Sequence, residues 1–280
     1  MAKKPFETNK LFVSTDDQKI IKLHFQRFEF KYLIDLETVQ KIKNYIFPYV
    51  ITDQYAVGTQ NLCYEVVSLY YDNPLYYYYY EKMDGVKNRK KIRLRTYRND
   101  DRWAGNIFFE IKRKNDAVVL KDRICLSRED YRYFLSDDSL PTVGETSRKI
   151  IEEYQQEKKM RAITPRLLVT YDREPYLGRF SPNFRVTFDS RIRAMENDDL
   201  YSLQGGWREI YEGLTVMEIK FTGLLPSYIR DVIQKFDLER TAFSKYCHGV
   251  ECCGSVMGVL PTSLPAYYLR SDLMQLNELI

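Results

Sequence analysis

The sequence has little histidine and cysteine, and it lacks long apolar runs. Of its 280 residues, 2 are histidines and 5 are cysteines. An odd number of cysteines without a regular framework argues against a secreted disulfide scaffold and favours a reducing compartment. No apolar stretch approaches the roughly 20 residues that a membrane-spanning helix needs. The opening MAKKPFETNK has no apolar segment behind its lysines. These features predict a cytoplasmic protein without a secretory signal.

The chain also lacks the signatures of several functional classes. Lys and Arg number 43 against 39 Asp and Glu, so the net charge is only +4 and any basic site must be local. No nucleophile elbow supports a Ser/His/Asp hydrolase. The spacing of Cys247, His248, Cys252 and Cys253 does not match common zinc ligands. The basic run NRKKIRLR, residues 88–95, is interleaved with aliphatic rather than aromatic residues, which argues against nucleic-acid binding.

The hydrophobic residues, 44% of the chain, are ample for one buried core. Residues 1–24 are polar and lack periodicity, so we expect a flexible N-terminal arm there. No low-complexity linker divides the chain after this arm, which predicts a single domain over 25–260, and helical spacing predicts a tail over 261–280. Short strand patterns joined by turns, with several amphipathic helices, indicate an α+β domain built on an antiparallel sheet.

Charged and apolar residues alternate in most of the predicted strands. Because side chains in a strand point alternately to opposite faces, Lys91, Arg93 and Arg95 share one face and the residues between them take the other. Lys90 and Arg98 have the opposite parity and are expected at the rim or surface. The other charged faces are formed by Arg27, Glu29 and Lys31; by Glu110, Lys112 and Lys114; by Lys121 and Arg123; by Arg185, Asp189, Arg191 and Arg193; and by Glu218 and Lys220.

A sheet with one charged and one apolar face can be arranged in two ways. Its charged face can lie in water, as in many antiparallel sheets, or the sheet can close so that the charges line a lumen. The charged faces are mostly cationic, with few carboxylates. Two like charges about 8 Å apart repel by about 2 kcal/mol at an effective dielectric constant of ~20. A cationic lumen therefore favours a bound polyanion such as a triphosphate or polyphosphate, with a divalent cation on the carboxylates.

Eight segments, in order along the chain, resemble the VTC domain, the polyphosphate polymerase branch of the triphosphate tunnel metalloenzymes. They are RFEFKYLI, VVSLYYDN, KIRLRTY, FFEIKRK, VLKDR, FRVTFDSRIR, MEIKF and FSKYCHG, and they extend from Arg27 to Gly249. The resemblance implies a closed antiparallel β-barrel, the triphosphate tunnel fold, with helices packed outside. It also implies Mn²⁺-supported (or Mg²⁺-supported) transfer of the ATP γ-phosphate to a growing polyphosphate chain.

The resemblance assigns roles position by position. The catalytic, phosphate-binding cations would be Lys31, Arg93, Arg95, Lys112, Lys121, Arg185 and Arg193. Further substrate contacts would come from Arg27, Lys91, Lys220, Ser244 and Lys245. Glu218 would be the metal ligand.

One position departs from the wider superfamily. Tunnel triphosphatases open with a Glu-x-Glu-x-Lys strand, whereas this chain has Arg27 in place of the first glutamate. The substitution removes a potential metal ligand and adds an anion contact, which favours a polymerase over a hydrolase. A triphosphate hydrolase and a non-catalytic polyphosphate or nucleotide sensor remain the alternatives. The expected partners are ATP, polyphosphate and possible membrane proteins at the inner face of a membrane, without nucleic acid; the sequence gives no oligomeric state.

Overall fold

The structure is a computed structural model that describes residues 27–99, 102–116, 118–137 and 144–256. The predicted arm over 1–24 and tail over 261–280 lie outside these ranges. The strands are β1 (Arg27–Asp35), β2 (Val50–Thr52), β3 (Tyr64–Asp72), β4 (Asn88–Asn99), β5 (Arg102–Trp103), β6 (Ile107–Asn115), β7 (Val118–Leu126), β8 (Thr164–Gly178), β9 (Arg185–Glu196), β10 (Arg208–Glu209) and β11 (Leu214–Thr222). The helices are α1 (Leu36–Ile46), α2 (Tyr77–Met83), α3 (Arg128–Asp137), α4 (Glu145–Arg161), α5 (Ser227–Lys235) and α6 (Lys245–Cys253).

The strands form one antiparallel sheet with the order β1-β11-β9-β8-β3-β4-β6-β7, and β2, β5 and β10 pair with β8, β4 and β9. This confirms the α+β class. The sheet is strongly curled, because Lys112 on β6 lies near enough to Glu29 on β1 for their charges to interact. Its two faces are therefore a concave face, which carries Lys31, Arg93 and Glu218, and a convex face.

The expected closure into a barrel is not complete among the described strands. β1 and β7 are the two edges of the sheet, and they do not pair with each other. Part of the β1 edge is instead met by a later segment of the chain. The amide of Thr241 donates to the carbonyl oxygen of Lys31 at 2.8 Å, and Tyr32 forms an isolated bridge with Arg240. The described fold is thus a curled half-barrel.

Helices cover the convex face in two groups. Asp35 is the N-cap of α1, and its carboxylate accepts from the Thr38 amide at 2.8 Å. With α5 it buries the apolar side of β1, β11 and β9, where Ile42 and Val232 are fully buried. On the other half, Tyr131 and Phe134 of α3 and Tyr154 of α4 pack on β4, β6 and β7. These helices match the expectation of helices outside the barrel.

Helix α6 lies on the concave face, which corrects that expectation. Its buried residues pack against Val169, Ala194 and Val216, which have the same strand parity as the charged residues. The approach is so close that a Cβ atom added at Gly249 would lie 2.8 Å from Cδ2 of Leu167 and 3.0 Å from Cβ of Ala194. α6 therefore fills one part of the concave face and leaves the charged part as a groove.

Candidate functional site

The first charged cluster of the groove joins β1 and β11. Lys31 stands opposite Glu218, and Lys220 stands opposite Glu29. The Lys31 ammonium lies 3.1 Å from a Glu29 oxygen and 3.7 Å from a Glu218 oxygen, and Lys220 also contacts Glu218. Burial alone would raise the pKa of Glu218, but Lys220 and Lys31 hold that pKa well below its usual value. Glu218 is therefore a charged, buried carboxylate.

The second cluster surrounds Glu110 of β6. Its carboxylate accepts from Arg93 Nε at 2.7 Å and from Lys121 Nζ at 2.7 Å, and Arg123 contacts it as well. Burial would raise the pKa of Glu110, but Arg93 and the other nearby cations hold it well below its usual value. One carboxylate thus neutralises only part of the positive charge of three cations.

Lys121 is strongly affected by this crowding. Desolvation by the walls of the groove is the largest effect and lowers the pKa of its ammonium to about 7, with Arg93 adding to the shift and Glu110 opposing it. The side chain itself remains exposed to the solvent that fills the groove. An anion beside Lys121 would therefore bind together with a proton at neutral pH and above.

The third cluster joins β8, β9 and α6. Arg173 donates from Nε and Nη2 to the two oxygens of Asp189, each at 2.7 Å, and Lys245 Nζ lies 2.5 Å from the same carboxylate. Burial would raise the pKa of Asp189, but Arg173 and Lys245 keep it below its usual value. Sequence reasoning missed Arg173, because its place beside Asp189 depends on the register between two strands.

Some cations of the groove donate no hydrogen bond to a carboxylate among the described residues. Arg95 is 7% exposed, and its guanidinium donates only to Ser68 Oγ at 3.0 Å and to the Tyr171 hydroxyl at 3.3 Å. Lys91 donates to Ser244 Oγ at 2.7 Å. On the neighbouring strands β4, β6 and β7, Lys112 stands opposite Lys91 on one side and opposite Lys121 on the other. Glu110 interacts with Arg95 electrostatically, and the row of three lysines beside this buried arginine is suited to bind an anion.

Tyr70 lies among these cations. Its hydroxyl accepts from Arg93 Nη1 at 3.0 Å. Burial would raise the pKa of this hydroxyl, but Arg93, Arg95 and Lys91 outweigh burial and lower it to about 8. The positive potential of the groove therefore acts on an ordinary neutral side chain as well as on the carboxylates.

Arg193 is not in the groove, and its predicted place there is wrong. Arg191 has φ of 47°, and the β8–β9 register shifts between Thr170 and Asp172. This bulge moves Arg193 opposite Thr170, on the convex face. There its guanidinium lies 3.4 Å from a Glu65 oxygen and 5.3 Å from the centre of the Trp207 ring.

The remaining predicted residues lie at the edges of the groove or beyond the described side chains. Arg185 lies on the concave face opposite Lys220, and its Nη2 is 3.2 Å from an Asp53 oxygen. Ser244 is the N-cap of α6 and accepts from the Cys247 amide at 3.3 Å. The side chain of Arg27 lies outside the described residues.

The donor set for a metal is small. In the described part of the chain, no group of three or more His, Cys, Asp or Glu side chains is arranged to hold an ion. Glu29 and Glu218 both contact Lys31 and Lys220. The buried hydroxyl of Thr187, directly opposite Glu218, has no hydrogen-bond partner among the described residues. Two carboxylates and one hydroxyl fit Mg²⁺ or Mn²⁺ only if substrate phosphate oxygens or waters complete the shell.

Most of the chain matches one known protein family. Residues 26–253 match the family model described as VTC domain. The vacuolar transporter chaperone complex subunit 4 of Trypanosoma brucei brucei is 25% identical, and the match covers 81% of this chain and 34% of that protein. The chain thus spans about a third of the length of this relative.

Two solved structures are distant neighbours of the fold. A putative adenylate cyclase from Bacillus halodurans is 11% identical with a TM-score of 0.45, and the PH1819 protein from Pyrococcus horikoshii OT3 is 14% identical with a TM-score of 0.38. Each match covers 77% of this chain and 92% of the other. Among the described helices, none is both long and apolar enough to cross a membrane.

Proposed function

Since the chain belongs to the VTC domain family, we propose that it is a metal-dependent polyphosphate polymerase that transfers the γ-phosphate of ATP to a growing polyphosphate chain. The observation that carries the proposal is Arg95. Its guanidinium is buried, two residues along β4 from Arg93, and within the described structure it interacts with Glu110 without a hydrogen bond to that carboxylate. A further anion in the groove would offset the cost of burying this charge. A phosphate chain in the groove supplies that anion.

The chemistry requires little of the protein beyond placement and charge. In phosphoryl transfer, catalysis comes mainly from aligning the reacting groups and neutralising the charge on the transferred phosphoryl group. The acceptor is already an anionic phosphate oxygen, so no general base is needed. Fixed cations on a stiff sheet suit this task, because they do not have to reorganise when the reaction occurs.

Each side chain of the groove has a role in the proposal. Phosphate oxygens bind Lys31, Arg93, Arg95, Lys112, Lys121, Arg173 and Arg185, with further contacts from Lys91, Lys220, Ser244 and Lys245. Glu218, with Glu29 beside it, would hold Mn²⁺ or Mg²⁺, which would neutralise charge on the nucleotide phosphates. Arg193 has no part, because it lies on the convex face.

The name of the relative supports a proposal for the cellular location and partner of the enzyme. That protein is named as a subunit of a vacuolar transporter chaperone complex. We place the present chain in the cytoplasm, at the inner face of a membrane, with a membrane-protein partner. ATP and inorganic polyphosphate are its ligands.

The test is incubation of the purified protein with ATP and Mn²⁺, followed by gel analysis for long-chain polyphosphate. Polymer supports the polymerase, inorganic phosphate alone indicates a hydrolase, and neither product indicates a sensor. Arg95→Ala is expected to abolish polymer synthesis, whereas Arg102→Ala, an exposed arginine of β5, is the matched control. Normal turnover by a folded Arg95→Ala protein contradicts the proposal.

A further inference from the structure

Three large apolar side chains project from one end of the sheet, and we call them the apolar tips. They are Phe47, which follows α1, Phe180, in the β8–β9 hairpin, and Leu224, in the loop after β11. Their exposed fractions are 72%, 80% and 94%. No step of the proposed reaction uses them, and such exposure of several large apolar groups at one place marks an interaction surface.

Backbone pairing and ring contacts hold the three loops together. β2 pairs with the end of β8, with Val50 opposite Gly178. The Arg179 amide donates to the Tyr49 carbonyl oxygen at 2.8 Å. The rings of Tyr49 and Tyr228 stack with centroids 4.4 Å apart, which joins the loop after α1 to α5. The apolar tips therefore belong to one fixed end of the molecule.

The segments that carry the tips are rich in cations, although Asp231 follows Arg230 directly on α5. The segments 41–52, 176–188 and 219–230, which carry the tips, contain lysines and arginines but no Asp or Glu. Within the described structure some of these cations pair with carboxylates from elsewhere, such as Lys43 with Glu174 at 2.6 Å. Arg179 and Arg230 have no ion-pair partner among the described residues. This end of the protein thus complements an anionic surface.

The shape of the surface favours a bilayer over a protein partner. Peptide partners usually enter a groove or extend a sheet edge. The apolar tips instead stand on three separate loops, and Tyr49 and Ile51 beside Phe47 are also partly exposed. Projecting Phe and Leu side chains with nearby arginines suit insertion between lipid headgroups, where apolar groups leave water and cations meet anionic lipids.

We propose that this end of the protein binds directly to an anionic lipid bilayer, with Phe47, Phe180 and Leu224 inserted at headgroup depth and Arg179 and Arg230 against the headgroups. This binding is independent of the catalytic groove and of any membrane-protein partner.

The test is co-sedimentation of the full chain with vesicles of equal parts phosphatidylcholine and phosphatidylserine, and with vesicles of phosphatidylcholine alone. The wild type is expected in the pellet with the mixed vesicles. The Phe180→Ser, Leu224→Ser double variant is expected to bind about tenfold more weakly or worse. Arg179→Ala, Arg230→Ala should weaken binding to the mixed vesicles and leave binding to phosphatidylcholine unchanged.

Leu75→Ser is the matched control. Leu75 is 78% exposed but follows β3, whose last residue, Asp72, pairs with the first residue of β8, at the opposite end from the tips. Absence of the wild type from the mixed-vesicle pellet overturns the proposal, as does equal binding by the double variant. Sedimentation velocity supplies a further check, because a tip variant that changes the oligomeric state without changing vesicle binding assigns the tips to a contact between copies.

Discussion

Arg173 of β8 and Asp189 of β9 form a two-point ion pair on the concave face, with both N–O distances 2.7 Å. Lys245 contacts the same carboxylate from α6. Asp189 therefore fixes the orientation of an arginine fork and a lysine while neutralising only one of their two charges. Glu218 also interacts with both cations. Under the proposed function, cations held in this way would bind a phosphate oxygen at little entropic cost.

The two arginines of adjacent strands give a direct test of the site. Arg173→Ala should lower kcat/KM for polyphosphate synthesis by about 10- to 100-fold, because a charge-assisted contact contributes roughly 1.5 to 3 kcal/mol. Arg193→Ala should stay within about twofold of the wild type, because Arg193 lies on the convex face against Glu65. Circular dichroism checks that both variants fold. Equal losses in both variants would contradict the placement of the site.

The contrast between these arginines also shows where alternation in the sequence correctly predicts the face of the sheet on which a residue lies. On β4 the pairing with β3 and β6 is regular from Lys91 to Arg95, so alternation in the sequence places these residues on one face as predicted. On β9 the bulge adds one residue before Arg193 and reverses its face. The bulge is formed by Arg191 in a left-handed conformation, where glycine or asparagine would be the recognisable signal.

The positions of helix α6 and of Arg173 could not be predicted from the sequence. A short amphipathic helix has one apolar side, and nothing in its sequence says which face of a sheet will receive it. Gly249 allows the close approach to Leu167, but a glycine within a nine-residue helix has many possible reasons. Arg173 is meaningful only beside Asp189, and the pairing of distant strands is set by the whole sheet rather than by local pattern. The phosphate-binding roles of the groove residues remain predictions.

The lowered pKa of Lys121 predicts proton uptake on binding. At pH 8 the free lysine, with its pKa about 7, is mostly neutral, and a phosphate beside it favours the charged form. Binding of tripolyphosphate should therefore take up protons, as calorimetry in buffers of different ionisation enthalpy measures. In the ligand-free protein the same lysine favours the folded state more as pH rises from about 7 to about 10, because folding lowers its pKa.

Lys121→Arg is the control for that experiment. An arginine stays charged at pH 8, so the variant should bind tripolyphosphate while proton uptake falls. Lys112, whose pKa is also lowered chiefly by burial, accounts for any uptake that remains. Unchanged uptake in Lys121→Arg would show that another group takes the proton.

Glu218→Gln tests the proposed metal ligand in two ways. The amide keeps the shape of the side chain but removes its charge, so stimulation of polymer synthesis by Mn²⁺ should fall by about 100-fold or more.

The second measurement on Glu218→Gln, thermal stability as a function of pH, needs no metal. Because folding lowers the pKa of Glu218, its charge stabilises the protein above the unfolded pKa of about 4.3, and this contribution is lost as pH falls. The melting temperature of the variant should therefore depend less on pH in acid.

Glu37→Gln, on the exposed surface of α1, is the control for both measurements. It should keep the metal dependence and the acid profile of the wild type. Should Glu218→Gln retain full Mn²⁺ stimulation, the metal ligand lies elsewhere, even if the acid profile changes as expected.

The position of α6 on the concave face depends on the missing side chain at Gly249. An added Cβ would lie 2.8 Å from Cδ2 of Leu167 and 3.0 Å from Cβ of Ala194, so Gly249→Ala must move the helix or the sheet. Overpacking of this kind costs about 1 to 3 kcal/mol, which lowers the melting temperature by about 2 to 12 °C for a domain of this size. The displaced helix also carries Lys245, so KM for ATP should rise.

Gly105→Ala is the control, because a Cβ there would meet nothing within 4 Å. It should leave both the melting temperature and KM near the wild-type values. Equal melting temperatures for the two variants would contradict the close seating of α6.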